Sequence, residues 1–211
     1  MRDNVTDKTA RELFGDGEAS ACTREKLLDA ATDLFYTYGI HAVGLDRILA
    51  DVGVTKTTFY NHFESKDDLA REVLQRRHVW ETDSFMKAVT DISEGDPRST
   101  LLAMFDVLHK WFTHSDFRGC QFINAAAEFP LPNDPVHKEA SRHKVATRQL
   151  LRDTAKAAGA VNADQLGDQL MVLFEGAITL RQVIGDDQAA ATAREVAEKL
   201  VDQAVSSTEA T

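Results

Sequence analysis

The chain has 211 residues, 43% of them hydrophobic and 27% charged, which is the composition of a globular protein of one domain or two small ones. No run of about 18 apolar residues occurs and the polar N-terminus lacks the apolar centre of a secretory signal, so we expect no membrane span and a cytoplasmic location. The formal net charge of −10 argues against a protein that coats nucleic acid, although it is compatible with a small DNA-reading surface.

Residues 1–22 and the first helix open the chain. Residues 1–22 are polar and contain two glycines, which is typical of a flexible arm. The first helix is predicted to begin at Thr23, a suitable N-cap, and apolar residues then recur at helical spacing until Gly39 ends it. Helical periodicity continues through the chain, whereas alternating strand patterns do not. The predicted fold class is therefore all-α, with about nine helices.

Two short helices follow, joined by the turn VGVT. The first lies between Gly44 and Gly53 and has apolar residues one helical turn apart. The second begins at Thr55, whose side chain can cap it, and Val54 and Phe59 have the spacing of a hydrophobic staple across that cap. Two short helices joined in this way are typical of a helix-turn-helix, in which the second helix enters the DNA major groove.

Capping residues and breaks predict the helices of the remaining chain. Ser65 with Asp68 has the spacing of a capping box. An Asp followed by a Pro, which occurs twice, is a typical helix start. The predicted helices run from Ser65 to about residue 90, from Asp96 to the break SDFRG, from Cys120 to Pro130, from Asp134 to Gly159, from Asn162 to Ile184, and from Asp187 to Val205.

The stretch KTTFYNHF separates into two faces on a helical wheel. Phe59 and Phe63 share one face, while Thr57 and Asn61 lie about 160° and 200° from Phe59. The aromatic pair can therefore anchor the helix in a core, while the opposite face offers hydroxyl and amide groups to base edges and phosphates. The alternative is a small polar helix that is simply exposed to water.

Two stretches carry a family resemblance, AATDLFYTYGIHAVGL and ILADVGVTKTTFYNHFESKDDL. Through them the chain resembles the TetR family of transcriptional repressors over residues 23–69. The resemblance implies a helix-turn-helix DNA-binding domain at 23–69 and a ligand-binding and dimerisation domain at 70–211, after the arm at 1–22. It also implies a homodimer on a palindromic double-stranded DNA operator, from which a small-molecule effector of unknown identity releases it.

The resemblance further implies which side chains contact DNA. Residues on the exposed face of the second short helix would face bases or nearby phosphates, and these are Thr57, Thr58 and Asn61. Residues on its flanks would hold the DNA backbone, and these are Lys56, Tyr60 and His62. Lys66, at the start of the fourth helix, would contact phosphate. The predicted set is completed by the residues that precede the two short helices, Gly44 and Thr55.

Few cations are available to hold phosphate. Residues 23–70 contain five Lys or Arg and eight Asp or Glu, so their net charge is 5 − 8 = −3. Family members usually carry Thr or Ser where this chain has Val43 and Gly44, and Gly44 can cap its helix only through the backbone. Each phosphate contact contributes about −0.9 to the slope of log K against log salt, so we predict a modest slope, well short of about −10.

The C-terminal half is rich in aromatic residues and contains polar residues within apolar helices. A pocket between helices is a plausible small-molecule site, although core packing is the more common role of any single aromatic residue. Buried polar groups need partners, so each embedded polar residue either lines a pocket or makes a structural hydrogen bond. The candidate ligand-binding residues are Trp80, Trp111, Phe112, Cys120, Asn124, Glu128 and Glu175.

Cysteine and histidine positions argue against a metal or another cofactor. Cys22 and Cys120 form neither a disulfide framework nor a CxxC site. The histidine pairs lack the i, i+4 spacing that places two imidazoles on one helical face. Cys120, at the start of a short apolar helix, is a candidate redox-sensing thiol, and a small buried residue is the alternative.

The predicted function is a ligand-responsive transcriptional repressor. No GxSxG, Walker, GxGxxG or HExxH motif occurs, so we expect no enzyme. The alternatives are a transcriptional activator and a thiol-sensing regulator that uses Cys120. The last two helices carry broad apolar faces, and the resemblance implies that they pair with their copies in a four-helix dimer interface. Two-fold symmetry would then place the reading helices about 34–36 Å apart.

Overall fold

A computed structural model describes residues 22–206, and these residues form helices and no strand. The nine helices of the described residues are α1 (Thr23–Tyr38), α2 (Leu45–Val52), α3 (Lys56–Tyr60), α4 (Lys66–Ser93), α5 (Pro97–Phe112), α6 (Gln121–Glu128), α7 (Pro135–Ala157), α8 (Ala163–Ile184) and α9 (Ala189–Ser206). The all-α prediction is confirmed. The predicted arm lies outside the described residues apart from Cys22, and no described helix is both long and apolar enough to cross a membrane.

Side-chain caps set most of the helix starts. The side chains of Asp96 and Asn162 accept hydrogen bonds from the N–H of the third helical residue of α5 and α8, at 2.7 and 3.1 Å. The prediction that Thr23 caps α1 is wrong. Thr23 is already the first helical residue, and Cys22 occupies the N-cap position with an extended backbone and no side-chain cap.

The packing contacts divide the described residues into two units. We call 22–81 with 120–144 the head unit, and 82–119 with 145–206 the body unit. The predicted domain boundary at residue 70 stays a prediction. The contacts add that α6 and the first part of α7, which come long after the helix-turn-helix in sequence, pack in the same unit with it.

The head unit is built on a three-helix core. Helix α2 packs against α1 and α3. Leu27 of α1, Ile48 of α2 and Phe59 of α3 are all completely buried, and Leu69 from α4 joins them. Burial of large apolar side chains is the main favourable term in folding, so this core holds the two short helices that could not be stable alone.

The body unit packs its last helix between two others. Helix α9 contacts both α5 and α8. On α5, Leu101, Phe105 and Phe112 are completely buried. Phe174 of α8 reaches the ring of Phe105 edge-on, with the ring centroids 5.9 Å apart, and contacts Phe85 at the same distance. These aromatic contacts are part of the body unit's core.

Helices α7 and α8 approach closely at Gly167. A Cβ atom built there would lie 2.7 Å from the backbone nitrogen of Arg152 and 2.8 Å from its Cα. Beside this crossing, Asp168 accepts hydrogen bonds from the guanidinium groups of both Arg148 and Arg152, at 2.7 and 2.8 Å. The absent side chain at residue 167 therefore permits a close approach that paired charges then hold.

Candidate DNA-binding interface

The start of α3 has the predicted cap. The Thr55 hydroxyl oxygen accepts from the N–H of Thr58 at 3.2 Å and lies 2.9 Å from the Thr58 hydroxyl. Val54, just before this cap, is half-buried, and Phe59 is completely buried. The local sequence thus begins α3 at a defined residue and presses its first turn onto the core.

Helix α3 is shorter than the wheel assumed. It ends at Tyr60 rather than continuing to Phe63. The N–H groups of His62 and Phe63 both donate to the carbonyl of Phe59, at 2.8 and 3.0 Å, so the chain makes a tight turn there. Because that turn keeps nearly the helical phase, Phe63 still points inward and is buried.

The outward face of α3 is polar, as the wheel predicts. Thr57 and Asn61 are exposed, and Tyr60 stands exposed beside them. Thr58 and His62 are half-buried on the other flank. The contacts of these residues with bases or phosphates stay predictions, while their accessibility is a property of the fold.

Lys56 at the start of α3 forms an exposed ion pair. Its ammonium lies 2.9 Å from a carboxylate oxygen of Asp46 on α2, and this hydrogen bond raises the pKa of Lys56. Exposed pairs of this kind contribute little to stability. The ion pair therefore adds little to the fold, and the predicted phosphate contact of Lys56 stays a prediction.

Lys66 is engaged within the head unit. Its ammonium donates to the carbonyl oxygens of Ile40 and Val43, at 2.8 and 3.0 Å. Both carbonyls belong to the loop that joins α1 and α2. The predicted phosphate contact of Lys66 stays a prediction, and the structure adds that the same ammonium ties this loop to the start of α4.

Arg47 was absent from the predicted set. It is exposed in the first turn of α2, its guanidinium lies 4.0 Å from the ring centroid of Tyr38, and it forms no ion pair among the described residues. In a helix-turn-helix the first helix crosses the DNA backbone. The sequence alone shows an arginine on the polar side of this short helix. Its contact with Tyr38 of α1 could be identified only from the fold.

Gly44 is the N-cap residue of α2 and has no side chain with which to cap it. It stands at the N-cap with an extended backbone and no side-chain cap, as its lack of a side chain requires. Val43 before it is completely buried. The two residues before α2 therefore offer a buried apolar side chain and a bare backbone, and no hydroxyl group.

The candidate ligand residues divide between the two units. The head unit contains Trp80, Cys120, Asn124 and Glu128, and the body unit contains Trp111, Phe112 and Glu175. Trp111 and Phe112 are buried in α5, and Trp111 packs on Phe117 with the ring centroids 4.7 Å apart, as expected for core residues. Cys120 is 3% exposed, which favours the packing interpretation over a thiol open to oxidants.

Glu128 has protein partners for both carboxylate oxygens. One accepts from the N–H of Ile40 at 2.9 Å and the other from the N–H of His41 at 2.5 Å. These contacts hold the carboxylate against the α1–α2 loop, and the predicted role of Glu128 in effector binding stays a prediction. Among the described residues, no group of three or more His, Cys, Asp or Glu side chains could hold a metal ion.

A capped, amphipathic α3 that packs on α2, which in turn packs on α1, defines a helix-turn-helix DNA-binding protein. Two family models match the chain, the bacterial regulatory proteins of the tetR family over residues 27–73 and the tetracycline-repressor-like C-terminal domain over residues 97–197. The chain belongs to the TetR family of transcriptional regulators, which bind DNA and are not enzymes.

Curated relatives include proteins of opposite regulatory sign. The transcriptional activator FasR of Mycolicibacterium smegmatis is 36% identical over 102 residues, 47% of this chain and 44% of the relative. The transcriptional repressor NemR of Escherichia coli is 28% identical over 110 residues, 50% of this chain and 53% of the relative. The matched stretch thus spans about half the length of these relatives.

Solved structures match over most of the chain. A TetR-family regulator from Streptomyces coelicolor has a TM-score of 0.76 and 29% identity, covering 87% of this chain and 96% of that one. A second, a putative regulator from Streptomyces avermitilis, has a TM-score of 0.77 and 28% identity, covering 87% and 98%. The helical architecture beyond the DNA-binding helices is therefore also that of the family.

Proposed function

We propose that the protein is a homodimeric, effector-responsive transcriptional repressor that reads a palindromic operator. The observation that carries the proposal is the division of α3 into an exposed polar face, with Thr57 and Asn61, and a buried aromatic face, with Phe59 and Phe63. A hydroxyl and a carboxamide on a rigid, anchored helix are suited to base edges in the major groove. The exposed cations Arg47 and Lys56 flank this face and are suited to phosphate.

The reading face is tested by selecting duplexes from a randomised library. Asn61→Ala and Thr57→Val should change the preferred bases at one or two positions of each half-site, because they remove groups that hydrogen-bond base edges. Arg47→Met should weaken binding to all duplexes alike, because phosphate contacts carry no sequence information. If Asn61→Ala and Thr57→Val select the same sequence as the wild type, α3 does not read DNA through this face.

A second copy of the chain is the proposed partner of α8. Val172 and Val183 are 73% and 74% exposed on this helix. They lie within about 40° of Gly176 and of each other on the helical wheel. Gly176 is exposed too, and a Cβ atom there would meet nothing within 4 Å. An exposed apolar stripe with a small residue at its centre is suited to close packing against the same helix of a second copy.

The dimer is tested by charge substitution on that stripe. Val172→Asp with Val183→Asp should convert the protein to a monomer in sedimentation equilibrium, because two carboxylates would be buried without partners. Val145→Asp on α7 is the matched control, since this valine is also exposed and apolar but lies off α8. A dimer that persists in the double variant would place the interface elsewhere.

Gln121 is the proposed contact for the effector. It is 5% exposed at the start of α6, and neither polar atom of its carboxamide has a hydrogen-bond partner among the described residues. An unsatisfied buried amide costs about 1–3 kcal/mol, and a bound polar molecule would remove that cost. A carboxamide both donates and accepts, so the complementary group on the effector is one that does the same, such as an amide or a carboxylic acid.

Native mass spectrometry of the purified protein tests the effector site. Wild-type protein should retain a small molecule that Gln121→Leu loses, while Gln169→Leu, an exposed glutamine on α8, should retain it. If Gln121→Leu retains the molecule and gains thermal stability, Gln121 is a buried polar residue and no more.

Repression is the proposed direction of control. A dimer bound across a promoter excludes RNA polymerase by occupancy alone, whereas activation needs a further contact surface. Deleting the gene should therefore raise expression from promoters that contain the selected operator. A fall in expression would favour the activator alternative.

A further inference from the structure

The loop that joins α1 to α2 is held from outside by Glu128, the last residue of α6. Its two carboxylate oxygens accept from the consecutive N–H groups of Ile40 and His41. Neither N–H belongs to a helix, so neither has a partner from regular secondary structure. Hydrogen bonds from N–H groups to a carboxylate are stronger than those between neutral groups. The carboxylate therefore fixes two successive peptide units of this loop.

The opposite side of the same loop is held by Lys66. Its ammonium, which can only donate hydrogen bonds, donates to the carbonyl oxygens of Ile40 and Val43. The peptide groups of Ile40 thus lie between a carboxylate and an ammonium, each hydrogen-bonded to the backbone. The backbone of the loop is therefore held by two residues that are distant in sequence, at separations of 88 and 26 residues from Ile40.

Gly39 leaves the space that the carboxylate occupies. Its φ of +89° with ψ of 155° is a conformation open almost only to glycine. A Cβ atom at this residue would lie 3.1 Å from one oxygen of Glu128. The missing side chain at Gly39 therefore leaves room for the carboxylate of Glu128 at the end of α1.

The held loop leads directly into the DNA-reading helices. After His41 the chain passes through the buried Val43 to Gly44, which begins α2, and α2 packs against α3. A shift of the loop would move the start of α2 and with it the seat of α3. DNA binding needs α3 in one orientation relative to its own unit, so the loop's conformation bears on affinity.

We propose that Glu128 is a positioning residue for DNA binding. It acts through the backbone of Ile40 and His41 to hold α2 and α3 in the orientation that reads the operator. It touches no DNA itself. This role goes beyond the proposed function, because it depends on neither the effector nor the dimer.

The test compares Glu128→Gln and Glu128→Ala with Glu139→Gln, using a duplex that the wild-type protein selects from a randomised library. Glu139 is a matched control because it is a buried carboxylate in the same unit, where it accepts from Gln75 at 2.7 Å and does not contact the loop. Each protein is measured for duplex affinity, for thermal unfolding, and for amide hydrogen exchange at Ile40 and His41.

Glu128→Ala should lower the affinity by at least about tenfold, the equivalent of one charge-assisted hydrogen bond. Glu128→Gln should fall between it and the wild type, because the amide oxygen can still accept one N–H. Exchange at Ile40 and His41 should accelerate in both variants, while amides in α5 and α9 exchange as before. Glu139→Gln should leave affinity and loop exchange unchanged.

Two results would overturn the proposal. One is an unchanged affinity in Glu128→Ala when the loop amides exchange fast, which would show that the loop does not position α3. The other is an equal loss of affinity in Glu139→Gln, which would show that any lost acid in this unit weakens binding.

Discussion

Lys66 has a structural role that its predicted contact with phosphate did not include, because its ammonium holds the loop before α2. Its two hydrogen bonds to Ile40 and Val43 predict that Lys66→Met destabilises the protein by about 1–3 kcal/mol, the cost of leaving buried carbonyls unsatisfied. Urea unfolding measures this change. DNA affinity should also fall for all duplexes alike, because the loop before α2 loses its support.

Lys66→Arg separates the two roles of this side chain. A guanidinium can still reach a phosphate but does not fit the geometry of a point donor between two carbonyls. It should therefore resemble Lys66→Met in stability. A stable Lys66→Met protein that nevertheless binds DNA weakly would favour the phosphate contact over the structural role.

His143 on α7 predicts a loss of stability in acid. Burial lowers its pKa to about 3, with smaller contributions from the nearby charges of Lys144, His78 and Arg77. Its ring stacks on Phe122 at 3.7 Å, and its Nδ1 lies 3.0 Å from Nδ1 of His78. The folded protein therefore keeps this imidazole neutral where the unfolded chain would protonate it.

The sign of the effect follows from that difference. Below the unfolded-state pKa of 6.5 the unfolded chain binds a proton that the folded protein does not, so the free energy of unfolding falls as pH drops from about 6.5 towards about 3. Chemical denaturation at several pH values measures the slope. His143→Phe keeps the stacking partner of Phe122 and should flatten the slope in this window. An unchanged slope would assign the acid sensitivity to other groups.

At the scale of the helices, α7 and α8 pack so closely at Gly167 that we expect no larger residue to be tolerated there. Gly167→Ala places a methyl group against the backbone of Arg152, and backbone atoms cannot move aside as a side chain can. We expect a loss of about 1–3 kcal/mol in the free energy of unfolding, as for other overpacked sites, despite the better helix propensity of alanine. Thermal unfolding measures this loss. Gln169→Ala, a substitution at an exposed residue of the same helix, should leave the stability unchanged. A stabilised Gly167→Ala protein would mean that the two helices can separate freely.

The sequence predicted where helices begin better than where they end. Asp96, Asn162 and Thr55 cap helices through their own side chains, and such a cap depends on residues three apart. The end of α3 was predicted less well. It depends on a turn at His62 that buries Phe63 against the head core, and a helical wheel cannot distinguish this turn from one more helical turn.

At the scale of the whole molecule, the sequence predicted the reading helices but not what supports them. The pattern of Phe59 and Asn61 is local, so periodicity and a family resemblance were enough to find it. Glu128 was predicted as a pocket residue because an acid in an apolar helix needs a partner. That partner proved to be a pair of backbone N–H groups at Ile40 and His41, 88 and 87 residues earlier in the chain, and backbone groups leave no pattern in a sequence.

The acidity of the whole molecule sets the last prediction, the salt dependence of DNA binding. Each head has few cations free for phosphate. Lys66 is held by carbonyls, and Arg24 is paired with Glu72. Arg47 and Lys56 remain accessible. With one further contact in each protomer, a dimer would make about six phosphate contacts and give a slope of roughly −5 in log K against log salt.

Fluorescence anisotropy with the selected duplex at several salt concentrations measures this slope. Arg47→Met should make it shallower by about 1.8, since each contact contributes about 0.9 and the dimer loses two contacts. Arg98→Met is the control. Arg98 lies on α5, pairs with Asp202 of α9, and belongs to the body unit, whereas α2 and α3 belong to the head unit. A wild-type slope near −10 would require many more cations than the described head provides. Such a slope would contradict the expectation that these few cations supply the phosphate contacts.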